Sequence, residues 1–162
     1  MPNEPKILAN SVFVNEFDSD TDMATLSQIS GWFENNIGEL NTLIFTSFSG
    51  SGEAGKSSHV FHPKMGLEES GIYKKLYLKH FYQKKARNVL KGIDSSVDFI
   101  SLREGDSMIT RTNKNEIAKT YRGMAKDAEE DLEKAVYAYN YYNAVPRQVA
   151  GGDVRLDPSG IS

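Results

Sequence analysis

The 162-residue sequence predicts a mainly α fold: a small helical bundle with one long C-terminal helix, a β-hairpin between the two main helices, and extended N- and C-terminal tails. Two observations carry this reading. Apolar residues recur at steps of three and four in three separate segments, which places them on one side of a helix. The repeating strand–helix units of a parallel sheet are missing.

Residues 1–21 read as an N-terminal arm, because Val12, Phe13 and Val14 form too short an apolar run for an independent element. Residues 22–143 read as a single helical domain. Its first helix starts at Asp22, capped by Thr21 or Asp22, with Leu26, Ile29, Phe33, Ile37 and Leu40 on one face and a break near Gly38. The run from Leu40 to Phe48 suits either a strand or a helix, and its apolar steps of four favour a helix. Residues 49–66 are a loop rich in glycine and serine.

From Leu67 the pattern becomes helical again through Ile72, Leu76, Ala86, Leu90 and Ile93, widened by Tyr73, Tyr77, Phe81 and Tyr82. After Glu68 and Glu69 this helix carries only positive charge: Lys74, Lys75, Lys79, Lys84, Lys85, Arg87 and Lys91. Residues 97–112 alternate apolar and polar side chains on either side of Arg103-Glu104-Gly105-Asp106, the signature of a hairpin. Asn113 and Glu116 then have the spacing of a capping box, and Ile117, Tyr121, Met124, Ala128, Leu132, Val136 and Tyr139 predict a long helix from Lys114 to about Asn143. Residues 144–162 are too rich in proline and glycine for a helix and too poor in apolar residues for a core, so they form an extended tail.

Composition narrows the chemistry. With 39% hydrophobic residues the chain supports one ordinary core. A net charge of −3 is too small to make the whole surface a nucleic-acid magnet, although blocks of one sign occur within it. There is no cysteine, so no disulfide, thiolate nucleophile or zinc-thiolate site can form, which suits assembly in a reducing cytoplasm. With no apolar run long enough to span a bilayer and no leader pattern, the chain reads as soluble and unexported.

Four clusters resemble sites. Gly50 to Ser57 fits the phosphate-cradling pattern at Gly50, Gly55, Lys56 and Ser57. That pattern needs a strand feeding it, a helix starting at the lysine, and a second strand ending in a magnesium-holding aspartate. Pro63 leaves at most two helical turns after Lys56, and a glycine- and serine-rich loop matching by chance is the better account. His59, His62 and His80 could be imagined as metal ligands, but no cysteine or nearby carboxylate pair completes a shell, so neither metal nor cofactor is expected. The acidic run Asp127, Glu129, Glu130, Asp131 and Glu133 spreads over a helix face, with Glu130 four residues before Lys134, and reads as a solvated or interface face rather than catalytic machinery. The basic helix 72–91 is a solvated face, a surface meeting the acidic helix of a neighbouring copy, or a surface for nucleic-acid phosphates. If copies meet, the contact falls on Lys84, Lys85 and Arg87 of one and Asp127, Glu129 and Glu130 of the next.

The order of these segments, with GIYKKLYLKHFYQKKARNVLKG, then DFISLREGDSMITRTNKNEIAKTY, then a long helix ending in AVYAYNYYN, resembles the head–tail connector adaptor proteins of tailed bacteriophages over Leu67 to Val149. The resemblance implies a non-enzymatic virion protein of the neck, assembled in the host cytoplasm. It implies a ring of about twelve copies under the portal that extends the DNA channel and docks the stopper or tail. It also implies that the C-terminal tail reaches the portal, through Val145, Pro146, Val149, Val154 and Leu156. The alternative from a different class is a small nucleic-acid-binding module using the basic helix 72–91.

Overall fold

A computed structural model describes residues 4–51, 60–91 and 105–144. The elements run α1 (Glu4–Asn15), α2 (Leu26–Asn35), α3 (Ile37–Ile44), β1 (Ser49–Ser51), β2 (Val60–His62), α4 (Leu67–Leu90) and α5 (Gly105–Ala144). The fold is mainly helical, with one long C-terminal helix and a two-stranded antiparallel hairpin between helices.

The helix α4 is buried on two sides. One side presents Tyr73, Tyr77 and Phe81 to the N-terminal elements. Phe17 meets Phe81 at 4.5 Å between ring centroids, and Phe33 meets Tyr73 at 4.8 Å edge-on, a geometry in which one ring's positive edge faces another's negative face. Tyr73 has no exposed surface, and its hydroxyl donates to the Phe33 carbonyl at 2.7 Å, which satisfies the polar atom of an otherwise apolar centre. The second side of α4, through Ile72 and Ala86, packs on α5. That pairing is antiparallel: Ile72 shares a groove with Tyr139, and Ala86, further along α4, shares one with Ala125, earlier in α5.

The seam on α5 has a seven-residue period. Ala118, Ala125 and Leu132 are buried, and the half-buried Tyr139 continues the series. Tyr121, Ala128 and Ala135 fill the alternate positions, which is the repeat of two supercoiled helices. Ile117 and Met124, assigned to the apolar stripe from the sequence, are 47% and 40% exposed. Early in α5 the seam runs through Ala118 and Ala125 in their place, while Tyr121, Ala128, Leu132, Val136 and Tyr139 of the expected stripe are buried or half-buried. At about 1.5 Å per residue, the 40 residues of α5 span about 60 Å. Leu90, the last residue of α4, shares a groove with Arg122, so the start of α5 runs past the end of α4 by about 25 Å.

Several elements differ from expectation. Glu4–Asn15 is a helix that supplies Pro5, Leu8, Ala9 and Val12 to the core, not an extended arm. Proline is tolerated in a first helical turn, where no intrahelical N–H bond is lost. Glu4 ties this helix to the hairpin by accepting from the Phe61 N–H at 2.9 Å. α2 begins at Leu26, and its cap is Thr25, whose hydroxyl oxygen accepts from the Gln28 N–H while the Gln28 side chain accepts from the Thr25 N–H. The reciprocal bonds win over Thr21 and Asp22 because they satisfy two free donors at once. The break expected near Gly38 falls at Asn36, which bonds twice to the Trp32 carbonyl.

The hairpin stands between α3 and α4, pairing Gly50 with Phe61, rather than at residues 97–112. Residues 97–104 lie outside the described residues, and 105–112 belong to α5. Ile109 and Ile117 are eight residues apart, so the expected second strand keeps the helical phase of the remainder of α5; a short alternating run fits either period. The helix passes through Asn113, whose expected cap role is lost. The helical reading of Leu40 onwards holds to Ile44. The C-terminal tail lies outside the described residues beyond Ala144.

Two substitutions test this packing. Tyr73→Phe strands the Phe33 carbonyl and is expected to cost about 1–3 kcal/mol in denaturant unfolding with an unchanged slope. Leu8→Ala is expected to cost about 2–5 kcal/mol, where the same change in a solvated arm costs almost nothing.

Candidate functional site

The charged residues singled out from the sequence do not form one continuous face. Lys79 pairs within the chain, its Nζ standing 2.7 Å from Glu129 across the α4–α5 seam. Lys74 reaches the Ser11 hydroxyl at 3.4 Å. Lys85 lies over the Phe81 ring at 5.4 Å and donates to the Asp22 carbonyl. Lys84, Arg87 and Lys91 make no ion pair among the described residues and are exposed, as are Asp127, Glu130, Asp131 and Glu133. Of the expected interface residues, the structure leaves Lys84, Arg87, Asp127 and Glu130 open to a partner. It uses Glu129 to join the two long helices.

A cationic groove at the far end of the helix pair goes beyond the sites expected from the sequence. Arg87 and Leu90 of α4 line it with Arg122 and Lys126 of α5, and Glu129 closes one side. A sequence signal for it exists: Arg122 and Lys126 are four apart and so share one side of α5. Only the antiparallel register reveals that this side lies against Arg87.

The other end of the pair is apolar and exposed. Phe45, Leu67, Tyr137, Tyr141 and Tyr142 are between 65% and 93% exposed. Tyr139 separates two depressions of about 350 and 370 Å³, one bordered by Leu67 and Tyr142 and the other by Phe45 and Asn140. The ridge is held firmly. The Tyr139 hydroxyl donates to Glu69 at 2.8 Å, and burial together with that bond pushes its phenol up to about 12, so it remains a donor at any ordinary pH. Asn140 donates to the Leu43 carbonyl at 3.0 Å.

Phe45 is unusual in two ways. It caps α3 in the left-handed region, φ 55°, and it is 85% exposed. A bulky residue with this backbone stores on the order of 1–2 kcal/mol of strain. The Asn41 side chain holds the turn, accepting from the Phe48 N–H and the Thr46 hydroxyl and donating to the Phe48 carbonyl. The turn thus holds an exposed aromatic ring on a left-handed backbone.

Of the phosphate-loop residues, Gly50 lies in β1, while Gly55, Lys56 and Ser57 lie outside the described residues, as does His59. His62 ends β2, and His80 sits in α4 with its ring 5.4 Å from Trp32. Among the described residues no group of three or more His, Asp or Glu is arranged to hold a metal ion. Among the same residues no helix is long and apolar enough to cross a membrane. Val145, Pro146, Val149, Val154 and Leu156 lie outside the described residues.

His80 is held below the ordinary imidazole value near 6.5, first by burial and then by Lys84 and Arg87, with Glu39 pulling weakly the other way. Below that value the unfolded chain binds more protons at this position than the folded one. Stability contributed by neutral His80 is therefore complete above about pH 6.5 and lost progressively as pH falls through and below it. His80→Gln is expected to flatten the decline in melting temperature between about pH 7.5 and 5.5. Equal slopes for the two proteins would show that His80 titrates as it does in the unfolded chain. Comparison of the whole chain with protein-family models, curated proteins and solved structures finds no match.

Proposed function

We propose that this protein is a structural assembly protein, acting through its surfaces as an adaptor of the kind found in phage head–tail connectors. The observation that carries the reading is the aromatic end of the α4–α5 pair, where Phe45, Leu67 and Tyr142 stand exposed around the half-buried Tyr139 and Tyr137 and Tyr141 stand exposed further round α5. Large apolar side chains grouped in this way mark contact surfaces. In this reading copies stand side by side in a ring beneath a portal. Exposed Asp127 and Glu130 of one copy meet Lys84 and Arg87 of the next, and the aromatic end docks against another protein of the neck. The resemblance over Leu67 to Val149 supplies the identity of the assembly, a virion neck with DNA passing through its channel.

A second reading rests on the groove of Arg87, Arg122 and Lys126, which offers three cations to nucleic-acid phosphates. It predicts duplex binding by the free chain that weakens steeply with salt. The double variant Arg87→Ala with Arg122→Ala would then lower the salt slope by about two.

Two variants separate an assembly surface from a folding requirement. Glu130→Lys with Asp131→Lys is expected to reduce ring formation seen by electron microscopy in the presence of portal, with a melting temperature within a few degrees of the parent. Phe45→Gly relieves the left-handed strain and is expected to keep or raise the melting temperature while weakening that assembly. Variants that assemble normally would refute the assignment of these surfaces.

A further inference from the structure

The turn before α2 and the middle of α4 border a cavity of about 310 Å³, which shares Lys84 with the charged face of α4 and lies apart from the aromatic end. Its walls differ in character. Trp32, Tyr77 and Phe81 form an aromatic floor, and His80, Lys84 and Lys85 rise beside it from successive turns of α4. The opposite wall is the Thr21–Gln28 segment.

The chemistry of that wall follows from the helix cap. In the capping box Thr25 and Gln28 commit acceptor atoms to each other's backbone N–H groups. The Thr25 hydroxyl proton and the Gln28 amide N–H₂ therefore remain available as donors, at a cavity face that is also the positive end of the α2 dipole. Lys85 is steered to the rim by the Phe81 ring and the Asp22 carbonyl. Lys84 has no ion-pair partner among the described residues. Asp22 is the single carboxylate in the wall and, being an acceptor only, suits a hydroxyl from a ligand.

We propose that this cavity binds a small phosphomonoester on a hydroxyl-bearing ring, a sugar phosphate or a nucleoside monophosphate. The phosphate lies between Lys84, Lys85 and the donors of Thr25 and Gln28, where charge-assisted bonds are strongest. A ring hydroxyl donates to Asp22, and the ring's apolar edge rests on Trp32 and Tyr77. The volume sits at the lower end of the range for small-molecule sites, about 300–1,000 Å³, enough for one phosphorylated ring and too small for a dinucleotide. A simple carboxylate would leave most of the space empty. This inference goes beyond the assembly reading and does not depend on it.

Trp32 is the only tryptophan in the chain and lines this cavity, so its fluorescence responds to occupancy there. The full chain is titrated with ribose 5-phosphate, adenosine 5′-monophosphate, inorganic phosphate and ribose. The expected result is a saturable change with one or both phosphorylated rings at concentrations at least about tenfold below any response to phosphate or ribose. A tighter curve for the adenosine compound assigns a nucleotide, and equal curves assign a sugar phosphate. Lys84→Ala, an exposed position, is expected to weaken binding about tenfold, and Lys84→Arg to restore most of it. Lys134→Ala, an exposed lysine far along α5, is expected to leave the curve unchanged. No saturable change with either phosphorylated ring, an equal response to inorganic phosphate, or a Lys84→Ala curve matching the parent overturns the proposal.

Discussion

The constraint on which this structure depends is that α4 must be apolar on two sides at once. Tyr73, Tyr77 and Phe81 are enclosed by the N-terminal helices, while Ile72 and Ala86 are enclosed by α5. Neither layer closes a core alone: α1 and α2 are short, and α5 without α4 would expose its seam. Because two arcs of α4 are committed to packing, its cations share the remaining surface. Lys85 lies over an aromatic ring, Lys79 bridges to α5, and Lys84, Arg87 and Lys91 make no ion pair among the described residues.

The same constraint fixes where the surfaces lie. The alanine seam brings α5 close to α4 in one register, and that register sets Arg87 against Arg122 at one end and Leu67 beside Tyr142 at the other. A pair of helices held this way has chemically distinct ends, one cationic and one aromatic. The Lys79–Glu129 bridge crosses the middle of the pair. Both groups are partly exposed, so the bridge contributes only about 0.2–1 kcal/mol, and it selects register more than it adds stability.

Much of this architecture is legible in the sequence, and the failures are instructive. The helical class and the long last helix follow from steps of three and four that no short-range conflict disturbs. The first helix is hidden because Pro5 and two asparagines suggest an arm, although Pro5, Leu8, Ala9 and Val12 have the spacing of a single helical face. The expected strand at 107–112 misleads for the opposite reason: six residues of alternating character are too few to distinguish the two periods. Alanines hide the true seam, since a search for bulky residues chooses Ile117 and Met124 over Ala118 and Ala125. For the surfaces, the charged residues can be found by reading along the chain. Their partners cannot, because the Lys79–Glu129 pair and the Arg87–Arg122 groove exist only once the register of two distant helices is known.

The central claim is that this chain works by docking its surfaces into a larger assembly. The most direct measurement is native mass spectrometry of the protein mixed with isolated portal rings. The account predicts portal complexes carrying many copies of the chain, whether or not the chain self-associates when free. Portal rings that remain bare at concentrations well above those of assembly would contradict it.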